Sequence, residues 1–159
     1  MRAMILGIGG VGSVIARTLA KTKKFEHIIL ADINEKHINE LARELGNGFS
    51  ARKVDAGSVN NLVGSFKDID LVMNVTLPKF NYNVMDAAIA SRIHYIDLAS
   101  HGPIPLPGRI TILEQLEKYD AKFKKIGRAA FLSTGIDPGA SNVFARYLAD
   151  QLDTVDDVL

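Results

Sequence analysis

Ala3-Met4-Ile5-Leu6-Gly7-Ile8-Gly9-Gly10-Val11-Gly12 decides how this chain folds. Four apolar residues read as a buried strand, and the glycines at 7, 9 and 12 follow without a gap. The pattern Val11, Val14, Ile15 and Leu19 then repeats at helical spacing and predicts a helix burying that face. A strand that turns through G-x-G-x-x-G into a helix is an anion cradle. The first glycine makes the tight turn, the second lets backbone approach a pyrophosphate, and the third packs helix on strand. The helix start then offers N–H groups that have no partner within the helix.

About 20 residues further on, the apolar run Ile28-Ile29-Leu30-Ala31 ends in Asp32. A carboxylate there suits the hydroxyls of an adenosine ribose and repels a 2′-phosphate. The alternative is a helix-capping role for Asp32. No arginine stands beside it, so the pair favours NAD, while Lys36 lies close enough to admit NADP.

The rest of the chain keeps the same β/α rhythm. Strands are predicted over 2–6, 27–31, 50–54, 69–75, 94–98 and 129–133, with helices between. Asn34 caps a helix carrying Ile38, Leu41, Ala42 and Leu45, Ser58 caps one carrying Val59, Leu62, Val63 and Phe66, and Asn81 or Asn83 starts another. The stripe Ile112, Leu116, Tyr119, Phe123 and Ile126 marks a long helix after the proline-rich stretch 101–108, which suits a surface excursion. With no hairpin signal between strands, the fold class is α/β: a Rossmann-type, doubly wound parallel sheet in three layers, α/β/α. The expected order is 3-2-1-4-5-6, with ligands at the carboxyl ends of the strands.

Composition narrows the function classes. The chain has 159 residues, 47% of them hydrophobic, enough for one well-packed domain. A net charge of +1 gives no electrostatic case for nucleic acid or a membrane surface, and Lys21 to Lys24 and Lys122 to Lys125 read as solvated helix ends. With no cysteine there is no disulfide, thiolate nucleophile or thiolate metal site. His27, His37 and His94 form no metal-ligand spacing, and no metal is expected. The expected location is the cytoplasm. Residues 1–151 read as the nucleotide-binding domain. Residues 152–159 read as the beginning of a second domain, for substrate and dimerisation, so a homo-oligomer is expected through it.

Candidate site residues follow from this frame. Gly7, Gly9, Gly10, Val11 and Gly12 face the pyrophosphate, and Asp32 the ribose. Asp55 and Ala56 end the third strand, where they reach the adenine or cap the next helix. Val75, Thr76 and Leu77 end the fourth and touch the cofactor mainly through backbone. Asp97 ends the fifth and is the catalytic candidate, able to orient a substrate ammonium or take a proton; the rival is a structural acid bonded to nearby backbone. His101 has a suitable intrinsic pKa for proton transfer, set against an exposed loop position.

Three segments together resemble the saccharopine dehydrogenase and lysine 6-dehydrogenase group: residues 7–12, His94-Tyr95-Ile96-Asp97, and Gly135-Ile136-Asp137-Pro138-Gly139-Ala140-Ser141-Asn142. The resemblance runs from about residue 1 to 150. It implies an NAD(P)-dependent oxidoreductase with an amino-acid substrate, passing hydride between an amine carbon and nicotinamide. It also implies that a base deprotonates the amine, that water resolves the imine, and that this chain supplies the cofactor half. Residues 1–76 also resemble regulatory nucleotide-binding domains of potassium transport systems, which bind nucleotide as a switch and catalyse nothing. A third reading is a scaffold that binds cofactor without reaction.

Overall fold

In a computed structural model, residues 1–100 and 111–157 are described. The elements run β1 (Arg2–Leu6), α1 (Gly10–Thr22), β2 (His27–Asp32), α2 (Glu35–Leu45), β3 (Phe49–Lys53), α3 (Val59–Ser65), β4 (Leu71–Asn74), a 3-10 turn (Pro78–Phe80), α4 (Asn81–Ser91), β5 (His94–Asp97), α5 (Ile112–Ile126), β6 (Ala130–Phe131) and α6 (Ala140–Ala149). The six strands form one sheet in the order β3-β2-β1-β4-β5-β6, and every neighbouring pair is parallel. This is the expected Rossmann-type order.

Alternation along the central strands divides the core between the two faces of the sheet. Ile5, Ile28 and Leu30 pack with Ile38 and Leu41 of α2. Met4, Leu6, Ile29 and Val72 pack with Leu62, Val84, Met85 and Phe123 from α3, α4 and α5. Asn34 caps α2 through His37 N, and Ser58 caps α3 through Asn61 N, as their positions predict.

Two helix faces differ from expectation. In α1 the buried residues are Gly12, Ser13 and Ala16, while Val11 and Val14 are 59% and 63% exposed. The glycine turn brings this helix so close to the sheet that only small residues fit beneath it. Of the expected stripe, Ile15 and Leu19 pack against the core while Val11 and Val14 do not. In α5 the buried face is Gln115, Tyr119 and Phe123, and Leu116 turns outward. Gln115 is buried because polar partners await it. Residues 154–157 have no regular structure. No helix among the described residues is long and apolar enough to cross a membrane.

Arg52, near the end of β3, clamps Asp68 with Nη1 at 2.7 Å and Nη2 at 2.9 Å, and Arg2 Nη2, at the start of β1, joins at 3.1 Å. This joins β1 and β3 to the turn before β4. The hydrogen bonds from Arg52 hold the Asp68 carboxyl below its ordinary range. A folded-state pKa below the unfolded one contributes stability above the unfolded pKa, and that contribution vanishes as pH falls through the folded pKa. Asp68→Asn should therefore lower the melting temperature at pH 7 by the equivalent of about 1 kcal/mol, a pair this exposed deserving no more. In thermal melts the gap to wild type should narrow as pH falls below the ordinary carboxylate range; a gap constant with pH would show that the charge is irrelevant.

Candidate functional site

β1 and β4 stay paired to their carboxyl ends, with Leu6 opposite Asn74, and the loops that follow them border a cavity. Gly7, with φ of 98°, turns the chain out of β1. Its N–H donates to Ala31 O at 2.8 Å. A Cβ at Gly7 would meet Val75 C and O at 2.9 Å. A Cβ at Gly12 would strike the carbonyl oxygen of Gly7. A Cβ at Gly9 or Gly10 would meet nothing within 4 Å. The glycines thus divide into two kinds: 7 and 12 allow close packing, and 9 and 10 border open space.

Helix α1 starts at that open space with no side-chain cap and no acidic residue in its first turn. Its leading N–H groups are left for a ligand or solvent, and the positive end of the helix dipole faces the same way.

Asp32 is half-buried at the end of β2. Oδ2 accepts from Ile8 N at 2.7 Å, and Oδ1 accepts from Asn34 N at 3.0 Å. The carboxylate braces the glycine turn and the turn into α2 while keeping lone pairs for a further donor. It does not cap α2, whose cap is Asn34. Nor does Asp55 cap α3: Oδ1 accepts from Gly57 N at 2.8 Å and tightens the turn after β3.

These elements enclose a cavity of about 330 Å³. Gly7, Gly9, Asp32, Asp55, Ala56, Val75, Thr76 and Leu77 line it, all of them expected from sequence. Gly10, Val11 and Gly12 form the first turn of α1 beside it. The lining also includes Ile33 and Phe80, which sequence reasoning missed. Ile33 carried a signal: it is a large apolar residue in a polar turn, and it is 66% exposed.

Asp97 ends β5, as the sequence places it. Its side chain is fully buried. Oδ1 accepts from Ser133 N at 2.5 Å, and Oδ2 accepts from Tyr95 Oη at 2.9 Å, Gln115 Nε2 at 3.2 Å and Asn81 Nδ2 at 3.3 Å. Burial pushes its carboxyl above the ordinary range, opposed by the donors from Ser133, Tyr95 and Gln115. All four donors converge on a carboxylate that is buried in the described structure. Its partners are one backbone N–H, from Ser133, one side chain of its own strand, Tyr95, and two side chains from other elements, Gln115 and Asn81. His101 lies outside the described residues. Among the described residues no group of three or more His, Asp or Glu side chains could hold a metal.

Comparison with known proteins fits this geometry. The family model described as the saccharopine dehydrogenase NADP-binding domain matches residues 3–136. The carboxyaminopropylagmatine dehydrogenase of Synechocystis sp. is 34% identical over 149 residues, spanning 92% of this chain and 37% of that protein. The carboxynorspermidine synthase of Vibrio cholerae is 30% identical over 182 residues, spanning 98% of this chain and 42% of that protein. The chain therefore spans well under half the length of these relatives. Among solved structures, the apo saccharopine dehydrogenase (L-Glu forming) of Saccharomyces cerevisiae superposes with a TM-score of 0.74 at 21% identity, covering 94% of this chain and 31% of that one. That likeness carries the fold. Matched over most of its length, the chain belongs to the saccharopine dehydrogenase NADP-binding-domain family of NAD(P)-dependent oxidoreductases.

Proposed function

We propose that this chain is the cofactor-binding unit of an oxidoreductase acting at an amine carbon of an amino-acid-type substrate, with NAD preferred over NADP. The observation that carries the reading is the pairing of an uncapped helix start over open glycines with a carboxylate across the same cavity. The first-turn N–H groups of α1 would take the pyrophosphate charge. Asp32 would accept from ribose hydroxyls, and its charge disfavours an added 2′-phosphate. Ile33, Asp55 and Ala56 would flank the adenine, and Val75, Thr76 and Leu77 would run along the remaining wall. Bound nicotinamide supplies the hydride acceptor or donor. The lysine branch of the resemblance is not carried over, because the relatives' names concern carboxynorspermidine and carboxyaminopropylagmatine.

Substrate recognition and assembly belong, in this proposal, to a further domain packed on α6. That helix buries none of its residues, and Val143, Phe144, Tyr147 and Leu148 are all exposed. A contiguous apolar face of this kind marks an interaction surface.

Calorimetric titration of the chain with NAD and with NADP tests the cofactor assignment. Micromolar-range or weaker binding of NAD, with NADP weaker still, is expected; no binding of either overturns it. Asp32→Ala should weaken NAD about tenfold, the loss of about 1.4 kcal/mol expected for one charge-assisted hydrogen bond. NADP should lose less, and equal losses would remove the proposed basis of the preference.

A further inference from the structure

A chain of buried side chains connects Asp97 to the wall of the cofactor cavity. Thr76 lines that cavity, and its N and Oγ1 both donate to Asn74 Oδ1, at 3.2 and 2.6 Å. Asn74 Nδ2 donates to Asn81 Oδ1 at 2.9 Å and to Tyr95 Oη at 3.1 Å. Tyr95 Oη donates to Asp97 Oδ2 at 2.9 Å. Asn74, Asn81, Tyr95 and Asp97 are each at most 2% exposed, so water does not complete these bonds.

The direction of the chain is forced from its inner end. A carboxylate has only acceptors, so the single hydroxyl hydrogen of Tyr95 goes to Asp97. Burial raises the Tyr95 phenol well above its ordinary range, and it keeps that hydrogen. Its oxygen can then only accept from Asn74, which turns the Asn74 amide nitrogen inward and its carbonyl oxygen toward Thr76. Both donors of Thr76 are consumed there. What Thr76 keeps for a ligand is acceptance alone.

We infer that Asp97 is a positioning residue for the cofactor cavity: through Tyr95 and Asn74 it fixes Thr76 as an acceptor for a ligand hydroxyl or amide hydrogen. This rests on the reading of the cavity as a dinucleotide site. In Asp97→Asn an amide nitrogen replaces one carboxylate oxygen among four donors. The Tyr95 hydroxyl is then free to turn its hydrogen toward Asn74, whose Nδ2 would lose that acceptor, and the hold of Asn74 on Thr76 would loosen.

Amide-resolved NMR of the ligand-free chain tests the wiring by itself. Asp97→Asn should move the Thr76 amide resonance and speed its hydrogen exchange at least tenfold, leaving the Ile8 amide, held by Asp32, unchanged. Tyr95→Phe cuts the chain one step later and should have the same effect, which keeps the test decisive if Asp97→Asn folds poorly. An unmoved Thr76 amide in the folded variants overturns the inference. With NAD, Thr76→Val and Asp97→Asn should each weaken binding about fivefold, and the double variant should be no weaker than Thr76→Val alone. Multiplicative losses would mean that Asp97 acts only on general stability. Should wild type bind no NAD while the Thr76 amide responds as described, the cofactor assignment fails and the wiring stands.

Discussion

Gly12→Ala is expected to lose about 3 kcal/mol of stability, a fall of roughly 6–12 °C in melting temperature, whereas Gly9→Ala should melt with wild type. The two glycines are three residues apart in one turn, and their surroundings are opposite. At Gly12 the added methyl meets the carbonyl oxygen of Gly7. Gly7 cannot yield, because its own φ of 98° is fixed and its N–H is held by Ala31 O. Helix α1 would have to lift off the sheet, opening the seam at Ser13 and Ala16. At Gly9 a Cβ meets nothing, and the backbone is extended with φ of −86°. The cost of Gly9→Ala should appear only on binding, as at least a tenfold loss of NAD affinity, since that methyl stands where phosphate oxygens would approach. Thermal melts paired with calorimetry read both effects. A Gly9 variant binding NAD at wild-type strength would remove the glycine turn from the cofactor site.

Asn81→Leu is expected to cost about 3 kcal/mol, again roughly 6–12 °C, although the two side chains have similar volumes. Asn81 Nδ2 lies 2.7 Å from Gln115 Oε1 and 3.0 Å from Ala99 O, and Oδ1 accepts from Asn74 Nδ2 at 2.9 Å. Leucine would strand the buried Gln115 Oε1 and remove one of the two acceptors of Asn74 Nδ2, and a stranded buried group costs about 1–3 kcal/mol. Some of that is recovered through the extra apolar burial. Urea or thermal unfolding would measure the loss; a melt within a degree of wild type would show that the polar cluster satisfies itself without Asn81.

The sheet and the cofactor cradle were legible in the sequence because their signals are local. Apolar runs mark β1 and β2, and the glycines and Asp32 sit at fixed offsets from them. What escaped is what tertiary packing decides. Val11 and Val14 have the right spacing for a core stripe, yet the closeness demanded by Gly12 reserves that face of α1 for small side chains. Leu116 looks buried beside Gln115, and the opposite holds because Gln115 serves Asp97 and Asn81. Asp97 itself reads the same in sequence whether it meets a substrate or closes a buried cluster. Besides Tyr95 on its own strand, its partners lie 16, 18 and 36 residues away, on α4, α5 and the turn after β6. Ile33 and Phe80 join the cavity from turns whose course no periodicity encodes.

One carboxylate does two jobs in this fold. In the proposed cofactor site Asp32 would discriminate between sugars, and it also holds the Ile8 N–H of the glycine turn. Redesigning the chain for a different dinucleotide is therefore not a matter of exchanging charge at position 32. A replacement that welcomes a 2′-phosphate but offers no acceptor to Ile8 would loosen the phosphate grip while gaining the new contact, and overall affinity would fall. Serine or asparagine at position 32, each able to retain an acceptor, together with a cation introduced in the turn after β2, is the pairing through which preference could shift without loss of grip.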